Sequence, residues 1–250
     1  MKKDSWYEDD TFWEMVAPFL FDEMRWAATP GEVDHIVELL GVDPPASVLD
    51  LCCGPGRHAL ELARRHYAVT GVDRTTVYLE RAEKQAEKEG ISIEFIQEDM
   101  RTFCRPESFD GAIMMFTSFG YFEEDEDRIV LENVCKSLKD KGRLLLDVKG
   151  KEIVARTFTE RDWREKDGIF HLEERKIVEN WTRTNNRWII IDGDSRKEVQ
   201  FLLRIYSAHE LCTLLQECGF SSVNVFGNME GKPYDHAAKR LIAVAQKILG

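Results

Sequence analysis

Short apolar runs alternate along the chain with longer stretches whose apolar positions recur at helical spacing. The runs fall at 47–51, 68–73, 91–97, 111–116 and 143–148, and the helical stretches at 57–66, 75–89 and 124–139. Strand followed by helix, recurring along this stretch, predicts crossover connections and a parallel sheet covered on both faces. Local chemistry agrees: Thr75 and Thr76 are candidate caps, Glu80 and Lys84 pair at i,i+4, and Gly90 supplies a left-handed stop. After Gly150 the pattern changes to strand-like runs over 169–205, with Val199 to Ile205 alternating most clearly. Asn185-Asn186, between Trp181 and Trp188, reads as a turn. An antiparallel insert is therefore expected, followed by a helix at 208–217 that Gly219 stops, and by two last strands at 222–226 and 241–245.

The chemistry concentrates in Val48-Leu49-Asp50-Leu51-Cys52-Cys53-Gly54-Pro55-Gly56-Arg57-His58-Ala59. A strand ends in an acid, a loop with two glycines follows, and a helix begins; in an open α/β sheet a ligand binds at such a strand end, where glycine permits close approach to the backbone. Gly54-x-Gly56-x-x-Ala59 also fits a dinucleotide fingerprint, with Asp73 near the spacing of a ribose-binding acid. Pro55 lacks an N–H for a pyrophosphate and Asp50 would repel one, so a cationic, phosphate-free nucleoside derivative suits the loop better.

These residues resemble the class I S-adenosylmethionine-dependent methyltransferases, strongly over about 46–150 and more weakly in the tail. Asp50-x-Cys52-x-Gly54-x-Gly56 is similar to the first motif, with Cys52 where a first glycine is usual. The resemblance implies that Asp73 accepts from both ribose hydroxyls with Arg74 beside it, that Asp99 accepts from the adenine amine, and that Met100 packs on the ring. It places Asp50 at the cofactor's amino group and the strand end at Phe116 opposite the methyl, in a run continuing through Ser118-Phe119-Gly120-Tyr121. Similar enzymes use the amino-terminal segment as a lid, which implies cofactor contacts for Trp13 and Arg25. The nearest look-alikes are small-molecule N-methyltransferases, including those of nucleotide-linked amino sugars.

The implied fold is α/β: a Rossmann-like, mostly parallel seven-stranded sheet with helices on both faces, plus the β insert. The expected organisation is a helical lid at 1–45, a cofactor domain at 46–150 and 207–250, and an acceptor subdomain at 151–206. The expected reaction is methyl transfer to a small-molecule N- or O-nucleophile. An NAD(P)-dependent reductase and a non-catalytic cofactor-binding protein are the alternatives. Tyr121 is the nearest candidate for touching the acceptor and His171 a distant second; no catalytic base is assigned. Asp50 pairing with Arg57, Asp73 as a mere helix cap and Asp99 as a solvated acid are the bland counterparts. For Trp163, Trp181, Trp188, Arg156, Arg164 and Arg183 in the insert, a structural platform is favoured over an acceptor pocket.

Charge narrows the partners. The chain carries a net −12, concentrated in residues 1–47 at −8, while 151–206 is at +1. A protein that coats nucleic acid would neutralise phosphates with Lys and Arg, so that class is disfavoured. No apolar run reaches the roughly 18–20 residues a membrane helix needs, and no leader pattern opens the chain. The six cysteines lack C-x-x-C spacing, and the histidines lack ligand spacing, so reduced thiols, a cytoplasmic setting and no metal are expected. A homodimer stays open.

Overall fold

A computed structural model describes residues 6–248. The main sheet is built from β1 (Ser47–Leu51), β2 (Ala68–Asp73), β3 (Glu94–Gln97), β4 (Phe109–Met114), β5 (Leu138–Val148), β10 (Phe220–Phe226) and β11 (Leu241–Lys247). Their order is β3-β2-β1-β4-β5-β11-β10, and β11 alone runs against its neighbours. The sheet is thus the seven-stranded, mostly parallel one expected, with helices on both faces. Its first connection leaves β1 toward β2 on one side, whereas β4 joins β1 on the other, so the order reverses between β1 and β4. Crevices form at such reversals, at the carboxyl ends of the strands.

Alternation along β1 sets the two cores. Leu49 and Leu51 join the cluster that holds Val130, Leu131, Leu211 and Leu215 of α5 (Glu124–Ser137) and α7 (Ala208–Glu217). Val48 joins the opposite cluster with Val33, Ile36 and Leu40 of α2 (Glu23–Leu40) and Leu62 of α3 (Arg57–Arg64). Each of these aliphatic side chains is essentially fully buried, which contributes roughly 1.5–3 kcal/mol apiece.

Between β5 and α7 the chain forms α6 (Lys151–Thr157) and then a separate antiparallel sheet of β6 (Arg161–Lys166), β7 (Ile169–Val178), β8 (Arg183–Asp192) and β9 (Ser195–Arg204). Asn185-Asn186 is not its turn. Both residues lie inside β8, opposite Lys176 and Arg175, and the Asn186 amide bonds Thr184 on the buried face. The reversal between β7 and β8 is made at Glu179, Asn180 and Trp181, all at positive φ. The short hairpin before β7 uses Asp167-Gly168, again at positive φ.

At the amino terminus Asp9 caps α1 (Asp10–Leu20) and Asp22 caps α2, each accepting from a first-turn amide. Phe12 and Val16 of α1 pack with Ile190 of β8, while Tyr78 of α4 (Thr76–Glu89) donates to the Trp13 carbonyl at 2.6 Å. Helix α1 therefore bridges the two sheets. Residues 1–5 of the expected 1–45 segment, and 249–250 of the tail, lie outside the described residues.

Candidate cofactor and acceptor site

A cavity of about 580 Å³ opens at the carboxyl ends of β1, β2, β4 and β5, and one face of the small sheet forms its far wall. That size is in the usual range for small-molecule sites.

The near end is a cradle built by the loop after β1. Cys52, Gly54 and Gly56 adopt φ of 63°, 55° and 77°, a left-handed path on which glycine is unstrained. The loop is tied down from β2: Asp73 Oδ2 accepts the Gly54 amide at 2.7 Å and Oδ1 accepts the Thr75 amide at 2.8 Å. Asp73 thus stabilises the start of α4 as well as the loop, while also facing the cavity. Burial raises its pKa, and the two amides resist that shift.

Gly54 and Cys52 line the cavity, but Gly56 does not. A Cβ on Gly56 would lie 2.8 Å from that of Ala82, so this glycine serves close packing of the loop on α4.

Asp50 is 1% exposed, and its Oδ2 has no partner among the described residues. Burial raises its pKa to about 6, against the pull of His58 and the Ala59 amide. The expected alternative of an Asp50–Arg57 pair is not formed. Arg57 Nη1 instead holds Glu32 at 2.6 Å, Thr29 Oγ1 at 2.7 Å and the Arg25 carbonyl at 2.8 Å. Its Nη2 is buried without a partner among the described residues, and Arg57 lines the cavity. Two residues lining one cavity thus each carry a buried polar atom without a partner among the described residues, an acid and a guanidinium that fit the ammonium and carboxylate of a methionine group.

Arg25 is held elsewhere. Its guanidinium lies 4.3 Å over the Phe116 ring, and it does not line the cavity. Phe116 itself does, at φ 62° with its amide on Asp147.

The remaining candidates lie along the same wall. Asp99 is paired bidentately with Arg101, closest at 2.7 Å; although burial opposes ionisation, that pairing holds its carboxyl below the usual range. Met100 brings its sulfur within 3.6 Å of the Cys52 sulfur. Arg74 reaches back to the Tyr7 carbonyl at 3.1 Å, and Trp13 Nε1 donates to that same carbonyl at 3.0 Å, so both fasten the amino-terminal turn over the cradle. Tyr121 lines the cavity against Trp6, with ring centroids 5.0 Å apart, and burial pushes its phenol pKa up. His171 does not reach the cavity. It is completely buried between Phe19 and Trp188, and burial lowers its pKa to about 4.

The far wall is one face of the small sheet. Glu173 and Arg175 of β7, Asn186 and Trp188 of β8, and Phe201 of β9 all line it. Glu173 is 6% exposed and is gripped by Arg175 and by Arg164 at 2.7 Å. The structure thus brings Trp188 into the site but leaves Trp163 and Trp181 exposed outside it. Arg57, Glu173, Arg175 and Asn186 were missing from the sequence-derived set. The signal for the last three was period-two spacing, Glu173-x-Arg175 and Asn186-x-Trp188, which puts alternate side chains on one face of a strand.

The comparisons with known proteins concern the same region. Residues 48–142 match the methyltransferase-domain family. A putative methyltransferase of Geobacillus sp. (strain WCH70) is 26% identical, over 96% of this chain and 99% of its own length. The CcbJ methyltransferase of Streptomyces caelestis superposes with a TM-score of 0.80 at 16% identity, covering 98% of each chain. The S-adenosylmethionine-bound amino pentose methyltransferase CalS10 of Micromonospora echinaspora superposes at 0.65 and 19% identity, covering 94% of this chain and 96% of its own. Residues 48–142 are therefore similar to a methyltransferase domain, and the chain has the fold of the methyltransferases it superposes on.

Proposed function

We propose that this protein methylates the nitrogen of a small polar acceptor held against the β7–β8–β9 face. The observation that carries the reading is a single cavity running from the Asp50–Asp73–Asp99 cradle to the polar row of Glu173, Arg175 and Asn186. The similarity to an amino pentose methyltransferase supports an amine on a polar, hydroxyl-bearing acceptor.

In this reading Asp73 holds the ribose hydroxyls, Asp99 and Met100 the adenine, and Asp50 with Arg57 the methionine end. The bound cofactor supplies an electrophilic methyl on a positively charged sulfur. Around that methyl the chain adds orientation and exclusion of water. Fixing two reactants in line contributes up to roughly 7–11 kcal/mol, and an amine that arrives neutral needs no strong base. The amino-terminal segment acts as a lid, with Trp6 and Trp13 roofing the cradle.

The test is S-adenosylhomocysteine release over a panel of amino sugars, amines, phenols and amino acids. Turnover confined to amines supports the reading, turnover of phenols alone overturns the nitrogen assignment, and cofactor binding without turnover of any member points to the non-catalytic alternative. A reductase is opposed by the buried Asp50 carboxyl at the loop. Titration with NADH followed by fluorescence checks it.

A further inference from the structure

Beneath the turn that follows β4 lies a buried polar pair that the cofactor cradle does not use. Tyr206 lines the cavity, stacks on Phe119 with ring centroids 5.4 Å apart, and donates its hydroxyl to Asp127 Oδ2 at 2.7 Å. Asp127 is 0% exposed and sits in the first turn of α5. Its other carboxylate oxygen has no partner among the described residues. The end of β9 is pinned to the same turn by the Arg204 amide on the Gly120 carbonyl at 2.7 Å, so Tyr206, two residues on, has a fixed position.

We propose that Asp127 commits the Tyr206 hydroxyl as a donor, so that Tyr206 offers the cavity only lone pairs and receives an N–H of the methyl acceptor. Tyr206 is then a catalytic residue and Asp127 a positioning residue. This deepens the proposed function and rests on it. As the acceptor's lone pair forms the new C–N bond, the S–C bond pair returns to sulfur. The acidified N–H proton passes to the Tyr206 oxygen as the phenol proton passes to Asp127, so charge and protons balance.

Burial makes the pair responsive near neutrality. Burial raises the Asp127 pKa to about 7, opposed by the Tyr206 hydrogen bond, Arg204 of β9 and the Phe122 amide, with Glu126 adding to the rise; Arg183 of β8 also faces it. Burial and the Asp127 charge push the Tyr206 phenol up, so the phenol does not ionise alone. The carboxylate form, able to take a proton, gains as pH rises through about 7.

Sinefungin tests this without knowledge of the acceptor, because it carries an amine where the cofactor carries its methyl. Calorimetric affinities for sinefungin and S-adenosylhomocysteine are compared in wild type, Tyr206→Phe and Asp127→Asn. The first variant keeps the ring stacking and the second keeps an acceptor oxygen for Tyr206. The wild type should prefer sinefungin by about tenfold, as expected for a hydrogen bond to a charged group, and the preference should grow from pH 6 to 8. Tyr206→Phe should lose the preference, and Asp127→Asn should lose its pH dependence, while S-adenosylhomocysteine affinity stays unchanged in both. A preference that is equal in all three proteins, or flat with pH, overturns the proposal, as does a fall in both affinities together, which marks a purely structural pair. Absence of S-adenosylhomocysteine binding to the wild type overturns the cofactor reading itself.

Discussion

The two ends of the cavity are made differently. The cofactor cradle is local: Asp50, the Cys52–Gly56 loop and Asp73 lie within 24 residues of each other, and carboxylates there are held by backbone amides. The far wall is assembled from side chains of the small sheet, with Glu173 between Arg164 of β6 and Arg175 of its own strand, and Asn186 on Thr184 of β8. A site made of loop amides tolerates change in few side chains. A site made of side chains on a rigid sheet can be rewritten while the cradle stays intact.

The largest effect should come from Asp73→Ala. It removes the acceptor of two amides, which loosens the loop, and also the proposed ribose contact, where two hydrogen bonds to a charged group at roughly 1.5–3 kcal/mol each predict at least ~100-fold weaker S-adenosylhomocysteine binding by calorimetry. Unchanged affinity would break the assignment. Gly56→Ala should come next, as a loss of stability of about 1–3 kcal/mol in denaturant unfolding, because the new Cβ meets Ala82 at a left-handed φ of 77°. Asp50 sharpens the cradle's chemistry. Its carboxyl, with pKa raised to about 6, is neutral below that pH and charged above it. Binding of S-adenosylhomocysteine, whose amine is cationic, should therefore strengthen from pH 5 to 7 in wild type, and Asp50→Asn should flatten that rise. The smallest effect belongs to the far wall: Glu173→Gln should change cofactor affinity by less than about twofold, since distant sites act independently, while slowing turnover of the acceptor.

Those differences also explain what could be read from the chain. The strand–helix alternation, the glycine loop and the acids at strand ends are encoded within short windows, so the parallel sheet and the positions of Asp50, Gly54 and Asp73 were legible. Gly56 was legible as a glycine the loop requires, but its neighbour Ala82 comes from α4, so its packing role was not. Arg25 and Arg57 show the same limit. Both are basic residues near the cradle, and both lie over the Phe116 ring; only tertiary placement decides that Arg57 lines the cavity and Arg25 does not. In the insert, the asparagine pair suggested a turn that the cross-strand register overrides, and Asn180 takes the left-handed conformation instead. His171, polar and in the insert, is enclosed by aromatics contributed from α1 and β8.

The most direct measurement is a crystal structure of the protein grown with S-adenosylhomocysteine. The account predicts ribose hydroxyls on Asp73, the amino acid end between Asp50 and Arg57, and the sulfur turned toward Ser118–Tyr121 with open space beyond it up to Glu173 and Asn186. A nucleoside bound anywhere else, or an empty crevice at saturating ligand, would contradict it.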